Sequence, residues 1–372
     1  MSGDVIVTVT LNAALHVAYT VGDPAADGIT VISRPSYRAG GRGVTVARVL
    51  RAFGHDVLAA GLAGGGTGEL IREDLARSGV PTAFTLIRGE SRRFLRFASP
   101  DPAGPVLRFG EPGPYITTEE LGRFAADYRR LMAGAAAVVL CGSLPDGLPA
   151  DTYGSLVTYA AEAGVPAILD AGGEELRQAV GHGPDLVVAE TSPAGPGPED
   201  LAAALIRLGA GAAAVAAGGL VRAVSAAGGW TARVEPAGPA EPAEPAGSEE
   251  AEGSEGSGLA YRPARGALVA GLVPGQLLGW SWPDRLRHAL ALAAGGAGAW
   301  TRVPGGTEDR DHVDLAAYER LLDTVQVEPA IFPSPDGVLG LSCTAWMPTT
   351  LENPTSPVFS RRSPSRRPST EC

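Results

Sequence analysis

Short apolar runs alternate with stretches of helical periodicity along most of the chain. Val5 to Leu11 predicts the first strand, and Val44 to Phe53 predicts a helix that ends at Gly54. Further strands are predicted at 57–62, 136–141, 167–170, 186–188 and 212–216. Further helices are predicted at 68–78, from the capping residues 117–120, and at 151–163, 174–180, 198–208, 264–278 and 283–300. Strands separated by helices form βαβ units, so we expect an α/β fold with a doubly wound, mostly parallel sheet covered by helices on both faces.

One stretch interrupts this alternation. Residues 82–87, 93–98 and 105–109 read as consecutive short strands with no helix between them. An antiparallel patch at this point is typical of a lid over a site at the carboxyl edge of the sheet. An ordinary extension of the sheet edge would give the same pattern, so both interpretations stay open here.

Composition identifies two segments that we expect to be disordered. Residues 235–258 hold seven Glu and no basic residue, among Pro, Ala, Gly and Ser. Such a run cannot bury enough apolar surface to offset its ordering entropy. Residues 331–372 end in a basic tail rich in Ser, Pro and Arg. We therefore expect one domain over 1–330 with an acidic insertion at 235–258, followed by a disordered tail.

Charge and residue usage exclude several functional classes. The net charge of −11 and the pI near 5.0 argue against nucleic acid as the main partner. Cys141, Cys343 and Cys372 have spacings that fit neither a disulfide framework nor a zinc site. All 30 basic residues are arginine, which excludes a lysine-dependent catalyst. No signal peptide or membrane span is predicted, and we expect a cytoplasmic protein.

Two glycine-containing stretches are candidate ligand sites. Gly40-Gly41-Arg42-Gly43 lies immediately before a predicted helix, where the helix N-terminus and a guanidinium would favour an anion. Gly142-Ser143 follows a buried strand, at the edge where open parallel sheets bind ligands. Either stretch alone is also typical of a tight structural turn.

Five short motifs follow one another along the chain: Thr8-Val-Thr-Leu-Asn-Ala-Ala-Leu15, Gly40-Gly-Arg-Gly43, Gly89-Glu-Ser-Arg92, Gly142-Ser-Leu-Pro145 and Leu169-Asp-Ala-Gly-Gly-Glu-Glu-Leu176. In this order they resemble the motifs of the ribokinase-like (PfkB) sugar kinases, in the branch of 1-phosphofructokinase and tagatose-6-phosphate kinase. The resemblance runs from about Val5 to Trp300. It implies a doubly wound domain with a small β-sheet lid, whose strands we place at about 12–38 and 82–110.

The resemblance also implies an activity and a set of site residues. Members of this family transfer the γ-phosphoryl group of ATP to a sugar or sugar-phosphate hydroxyl, with Mg²⁺. By position, the substrate-binding residues are Asn12, His16, Gly40, Gly41, Arg42, Gly43 and Arg92. By position, the nucleotide-binding residues are Gly142, Ser143, Glu190, Gly218, Gly219, Ala264 and Arg265. No metal ligand is assigned. The expected partners are a sugar phosphate and a second copy of the chain bound through the lid, without nucleic acid or membrane.

The chain departs from the family pattern where chemistry is expected. Pro263-Ala264-Arg265-Gly266 replaces the family's Gly-Ala-Gly-Asp, so Gly266 occupies the position of the general base. Pro263 has no N–H to offer, and Arg265 places a long side chain where glycine would admit a phosphate. Losing a general base costs about 10²–10⁴-fold in rate. Asp170 is a replacement base only if the local geometry has changed.

Four further positions differ in the substrate region. Arg42 stands where this branch has lysine, His16 replaces a sugar-binding aspartate, and Thr45 and Phe94 replace asparagines. Two hypotheses follow. The chain is a hexose-phosphate kinase with weak or altered activity, or it is a pseudokinase that binds a sugar phosphate and acts by binding or regulation. With the base and the anion-binding turn both changed, we expect little or no turnover.

Overall fold

The computed structural model describes residues 5–22, 32, 35–100, 106–191, 195–234, 265–296 and 315–330. Its strands are β1 Val5–Thr10, β2 Ala14–Thr20, β3 Ser36–Gly40, β4 Val57–Gly64, β5 Thr82–Ile87, β6 Arg92–Ala98, β7 Val106–Gly110, β8 Ala135–Cys141, β9 Ala167–Asp170, β10 Leu186–Glu190, β11 Ala212–Ala217, β12 Leu220–Ser225, β13 Gly228–Val234 and β14 Val325–Pro329. Its helices are α1 Arg42–Ala52, α2 Gly65–Arg77, α3 Thr118–Met132, α4 Thr152–Glu162, α5 Gly173–Ala179, α6 Pro198–Leu208, α7 Arg265–Leu277, α8 Trp282–Ala291 and α9 Leu315–Leu322.

The large sheet has the strand order β14-β13-β12-β11-β10-β9-β8-β1-β4-β5. All neighbours from β11 to β5 pair in parallel. Helices α1, α2, α7 and α8 contribute to the core on one face, and α3 to α6 contribute to the core on the other. Within β1, Ile6 joins the first core, whereas Val7 and Val9 join the second. The predicted doubly wound α/β fold is confirmed.

A second sheet of four strands, the lid, has the order β3-β2-β6-β7. Strands β2 and β6 pair in parallel, and both outer pairs are antiparallel. The placement of Thr82–Ile87 in the lid was wrong. This segment is β5 of the large sheet, parallel to β4, because α2 provides the crossover between them and because Thr85 and Ile87 are buried there.

The C-terminal half of the large sheet differs from the prediction. Strands β12 to β14 and helix α9 were not predicted. The three strands extend the sheet with antiparallel pairs. Gly218-Gly219, predicted as a nucleotide-binding turn, is the two-residue connection of the β11–β12 hairpin, and Gly218 has φ +58°. Helix α8 ends at Ala291 and continues as a π-helical turn over Leu292–Gly296.

The helix cap predicted at residues 117–120 is present in the structure. Thr117 forms the predicted cap of α3, with a complete capping box to Glu120. The acidic insertion 235–258 and the tail 331–372 lie outside the described residues. No helix in the described ranges is long and apolar enough to cross a membrane.

Strands β1 and β4 approach each other closely at the end of β1, next to the residues of the candidate site. Gly61 of β4 has φ +142°, and a Cβ on it would overlap the carbonyl oxygen of Thr10. Any other residue would have to push the two strands apart. Gly122, on the exposed side of α3, has no neighbouring atom within 4 Å of its Cβ position.

We therefore expect Gly61→Ala to lower the free energy of unfolding by at least about 3 kcal/mol, from backbone strain and overpacking combined. The matched substitution Gly122→Ala should raise it by about 1 kcal/mol, because alanine is the better helix former. Urea denaturation of both variants measures these changes. Equal effects of the two substitutions would contradict the close packing of β1 against β4.

Candidate functional site

The predicted site residues gather at the carboxyl edge of the parallel sheet. The strands β1, β8, β9, β10 and β11 are consecutive neighbours, and each ends at this edge. The residues that end or follow these strands are Asn12, Gly142 with Ser143, Asp170, Glu190, and Gly218 with Gly219. This is the edge at which open α/β sheets bind their ligands.

Asn12 connects the sheet edge to the lid. Its side-chain amide nitrogen donates to Ser143 Oγ at 3.3 Å, and its backbone carbonyl oxygen accepts from Arg92 Nε at 3.2 Å. The Asn12 Oδ1 atom is buried and has no hydrogen-bond partner among the described residues. Gly113 covers this oxygen closely, since a Cβ at Gly113 would lie 2.5 Å from it. Three of the predicted residues are thus in direct contact.

The lid contributes aromatic and cationic groups to the same region. His16 of β2 lies opposite Phe94 of β6, and their rings meet edge to face with centroids 5.4 Å apart. The Arg92 guanidinium lies over the Phe94 ring, 4.7 Å from its centroid. This contact is a cation–π interaction, which stabilises the position of the Arg92 side chain.

The Gly40–Gly43 loop brings the N-terminus of α1 to the same edge. Gly41 has φ +114°, and a Cβ there would lie 2.6 Å from Thr10 Cγ2. A Cβ on Gly43 would lie 2.8 Å from the carbonyl oxygen of Val9. The glycines of this motif therefore let backbone approach backbone, because they pack α1 against β1. Arg42, the first residue of α1, is left pointing across the sheet edge.

Asp170, at the end of β9, pairs with two arginines. Arg42 Nη1 donates to its Oδ1 at 3.3 Å, and Arg265 Nη2 forms an ion pair with the same oxygen at 2.5 Å. The Asp170 side chain is fully buried, and those of Arg42 and Arg265 are 19% and 12% exposed. Two cations around one carboxylate leave a net charge of +1 at the sheet edge.

Arg265 is further held by backbone. Its Nη2 donates to the carbonyl oxygens of Ala171 and Val188, at 3.2 Å each. The guanidinium therefore ties the first turn of α7 to the ends of β9 and β10. Arg265, predicted by position to bind the nucleotide, is thus already paired with Asp170 and hydrogen-bonded to two carbonyl groups.

Gly266, the second residue of α7, packs directly on α1. A Cβ at Gly266 would lie 2.9 Å from Thr45 Cγ2 and 3.1 Å from Thr45 Cβ. No carboxylate is present at this position, and Asp170 is buried under two guanidinium groups. We use "α7 entrance" for Arg265 and Gly266 together. Ala264 lies outside the described residues.

Two buried groups near Asp170 are chemically quiet. Burial raises the pKa of the Cys141 thiol well above its ordinary value, and the negative charge of Asp170 acts in the same direction. The Tyr153 hydroxyl donates to the carbonyl oxygens of Cys141 and Gly142, at 3.0 Å each. Cys141 is therefore protonated and inert, and Tyr153 holds the shape of the β8 end.

The remaining predicted residues lie farther along the edge. Glu190 ends β10 opposite Ala216 of β11, and the Gly218-Gly219 hairpin follows on β11. Glu90, in the 89–92 motif, caps α2 by accepting from the backbone N–H of Thr67 at 2.6 Å. Hydrogen bonds from Thr67 hold the pKa of Glu90 below its ordinary value. That motif therefore positions Arg92 and also closes a helix end.

The contact between Gly266 and Thr45 makes a test of the α7 entrance. Gly266→Ala should lower the free energy of unfolding by about 1–3 kcal/mol, because the new methyl group overlaps Thr45. In the Thr45→Ala background the loss should be smaller, since Cγ2 is gone. A double-mutant cycle by urea denaturation measures the coupling. An equal loss in both backgrounds would show that α7 and α1 do not pack as described.

Two tagatose-6-phosphate kinases are similar in sequence to part of this chain. A tagatose-6-phosphate kinase from Staphylococcus epidermidis (strain RP62A) is 35% identical over 173 residues, which are 46% of this chain and 55% of the relative. A second strain of the same species (ATCC 12228) carries a tagatose-6-phosphate kinase with the same identity and coverage. The match thus spans little more than half the length of these relatives.

Solved structures show the same fold. Phosphofructokinase-2 from Escherichia coli in complex with fructose-6-phosphate superposes with a TM-score of 0.68 at 21% identity, covering 87% of this chain and 99% of that one. A carbohydrate kinase from Agrobacterium tumefaciens gives a TM-score of 0.60 at 17% identity, covering 88% and 100%. Residues 8–194, half of the chain, match the pfkB family of carbohydrate kinases, and the chain belongs to that family.

Proposed function

We propose that this chain is a pseudokinase, which binds a sugar phosphate between the lid and the sheet edge and does not transfer phosphoryl groups from ATP. The observation that carries the proposal is the α7 entrance. There, Arg265 is bound to Asp170 and to two carbonyl oxygens, and Gly266 provides no carboxylate. The chain thus keeps the family's scaffold and has lost the family's base.

The binding half of the proposal rests on charge. Arg42 and Arg92 project toward the edge where Asn12 and Ser143 present amide and hydroxyl groups. A guanidinium has five N–H donors in a planar fork, so Arg42 can donate to Asp170 and still offer donors to a phosphate. The net charge of +1 on the Asp170 cluster favours an anion. His16, on strand β2 of the lid, would contact the sugar.

The catalytic half rests on what occupies the α7 entrance. A phosphoryl group bound to Mg²⁺ needs free backbone donors and carboxylate ligands. The residues present do not fit such a group, because a guanidinium held by three acceptors lies at the first turn of α7. Among the described residues, no cluster of three or more His, Cys, Asp or Glu could hold a metal ion.

A weak hexose-phosphate kinase is the second candidate. Descent favours it, because the chain belongs to a kinase family and resembles a tagatose-6-phosphate kinase over 173 residues. Phosphoryl transfer depends mainly on positioning and electrostatics, so some activity can survive the loss of a base. ATP and Mg²⁺ would be its co-substrate and metal ion, with Glu190 and the Gly218-Gly219 hairpin nearest to the nucleotide.

We also propose that two copies associate through the lid. The side of the lid away from the sheet edge carries large exposed apolar groups at Tyr37, Leu107 and Phe109. Tyr19 and Phe97 stack on the same side, with centroids 5.0 Å apart. A second copy would remove this apolar surface from water. Phosphofructokinase-2 from Escherichia coli has a tetrameric inhibited form, and that protein shares the fold.

A binding measurement and an activity measurement test the two halves separately. Calorimetry should show that the wild-type chain binds fructose 6-phosphate, fructose 1-phosphate or tagatose 6-phosphate. Arg42→Gln should weaken the binding at least about 10-fold, the worth of a charged hydrogen bond to phosphate. Arg51→Gln, which removes the same charge from the exposed side of α1, is the matched control and should leave Kd unchanged.

The activity half is tested by ADP release with Mg²⁺, ATP and the same three sugars. We expect no release above the rate without sugar. Turnover that depends on the sugar would reject the pseudokinase and support the weak kinase. Equal binding by wild type and Arg42→Gln would show that the pocket is placed wrongly.

A further inference from the structure

The lid presents an unusually basic side toward the sheet edge. Side chains alternate across a strand, so the residues that share a side with Arg92 are known from the register. Arg38, His16 and Phe94 form one row across β3, β2 and β6, and Arg96 and Arg108 lie in the next row outward. Four arginines and no carboxylate stand on this side of the described lid strands. We call it the site-facing side.

Arg96 and Arg108 are directly opposed on neighbouring strands. The register of β6 with β7 pairs them as Cα partners, and Arg96 is half-buried while Arg108 is exposed. Within the described ranges, neither side chain has an ion pair or a side-chain hydrogen bond. Like charges directly opposite each other destabilise a sheet. An anion between them would turn this repulsion into two charge-assisted contacts.

Phe94 provides an apolar surface between the two ends of the site-facing side. Its ring occupies the space above Gly110, where a Cβ would lie 2.7 Å from Phe94 Cε1. Arg92 lies on one side of the ring and Arg96 on the other along β6. These two residues are four positions apart, about 13 Å between Cα atoms at ~3.3 Å per residue. Because both side chains are long, their guanidinium groups can hold two anions about one hexose chain apart.

We propose that the ligand is a sugar with two anionic groups, and that Arg96 and Arg108 bind the second one. The first, a phosphoryl group, lies at Arg42 and Arg92, as in the proposed function on which this inference rests. The carbon chain passes beside the Phe94 ring, from Arg92 toward Arg96. The second group is a phosphoryl group or a carboxylate, since both accept from paired guanidinium groups.

Calorimetry with the full chain and three ligands tests the proposal. Fructose 1,6-bisphosphate should bind at least 10-fold more tightly than fructose 6-phosphate. If the second group is a carboxylate, 6-phosphogluconate should show the larger gain of the two. The double variant Arg96→Gln/Arg108→Gln should bind each doubly anionic sugar no better than fructose 6-phosphate, and its Kd for fructose 6-phosphate should match that of the wild type.

Arg93→Gln is the matched control, because Arg93 lies on β6 but on the opposite side of the lid, paired with Glu111. It should keep the preference for the doubly anionic sugar. The double variant should also melt at the same temperature as the ligand-free wild type or above it, because the repulsion is removed. A lower melting temperature would show that the two arginines have a structural role instead.

The outcomes separate this inference from the proposed function. If fructose 6-phosphate binds and Arg42→Gln weakens it, but neither doubly anionic sugar binds more tightly, the second subsite is refuted and the proposed function stands. A preference that survives in the double variant also refutes it, because the second group then lies elsewhere. Absence of binding by all three ligands, and by fructose 1-phosphate and tagatose 6-phosphate as well, refutes the proposed function and this inference together.

Discussion

The buried carboxylate of Asp170 is the group on which the rest of the site depends. It joins three elements that are far apart in the chain, because Arg42 begins α1, Arg265 begins α7 and Asp170 ends β9. A carboxylate without solvent is costly unless it is paired and hydrogen-bonded. Two guanidinium groups pair with Asp170 Oδ1, whereas the buried Oδ2 has no hydrogen-bond partner among the described residues. Removing Asp170 would leave two cations facing each other. The carboxylate therefore sets the position of both helix N-termini.

In the proposed function, this arrangement accounts for a kinase scaffold without its catalytic chemistry. In a helix that receives a phosphoryl group, the first backbone N–H groups and a nearby positive charge face the ligand. Here the positive charge belongs to Arg265 of α7 itself, which is held within the protein by Asp170 and two carbonyl oxygens. Arg265 thus stabilises the fold at the point where a substrate group would otherwise be stabilised. Gly266 permits the close packing on Thr45 that completes this closure.

Most of the fold was predictable because the spacing of apolar residues within a segment indicates which of its side chains are buried. The alternation of apolar runs with helical stretches predicted β1, α1, β8 and their neighbours, and the order of short motifs predicted the family. The lid was only partly predictable. Thr82–Ile87 alternates like a lid strand, and only its pairing with β4 shows that it belongs to the large sheet. The Gly218-Gly219 dipeptide, predicted as a nucleotide-binding turn, also carries a hairpin signal that the sequence reading missed.

The site was predictable as a list of residues but not as a set of contacts. Asn12, Arg92 and Ser143 came from motifs and do meet. Asp170 is 128 residues from Arg42 and 95 residues from Arg265 in the sequence, so no local pattern predicts these pairs. The opposition of Arg96 to Arg108 likewise depends on strand register, which the sequence alone does not determine.

The central claim is that Arg265, through its ion pair with Asp170, prevents a phosphoryl group from binding at the first turn of α7. A crystal structure of the chain grown with fructose 6-phosphate, ATP and Mg²⁺ tests this most directly. The account predicts sugar phosphate at Arg42 and Arg92, with Arg265 still bound to Asp170 and no nucleotide phosphate at the first turn of α7. A γ-phosphoryl group seated at that turn, with the Arg265 side chain turned away from Asp170, would contradict it.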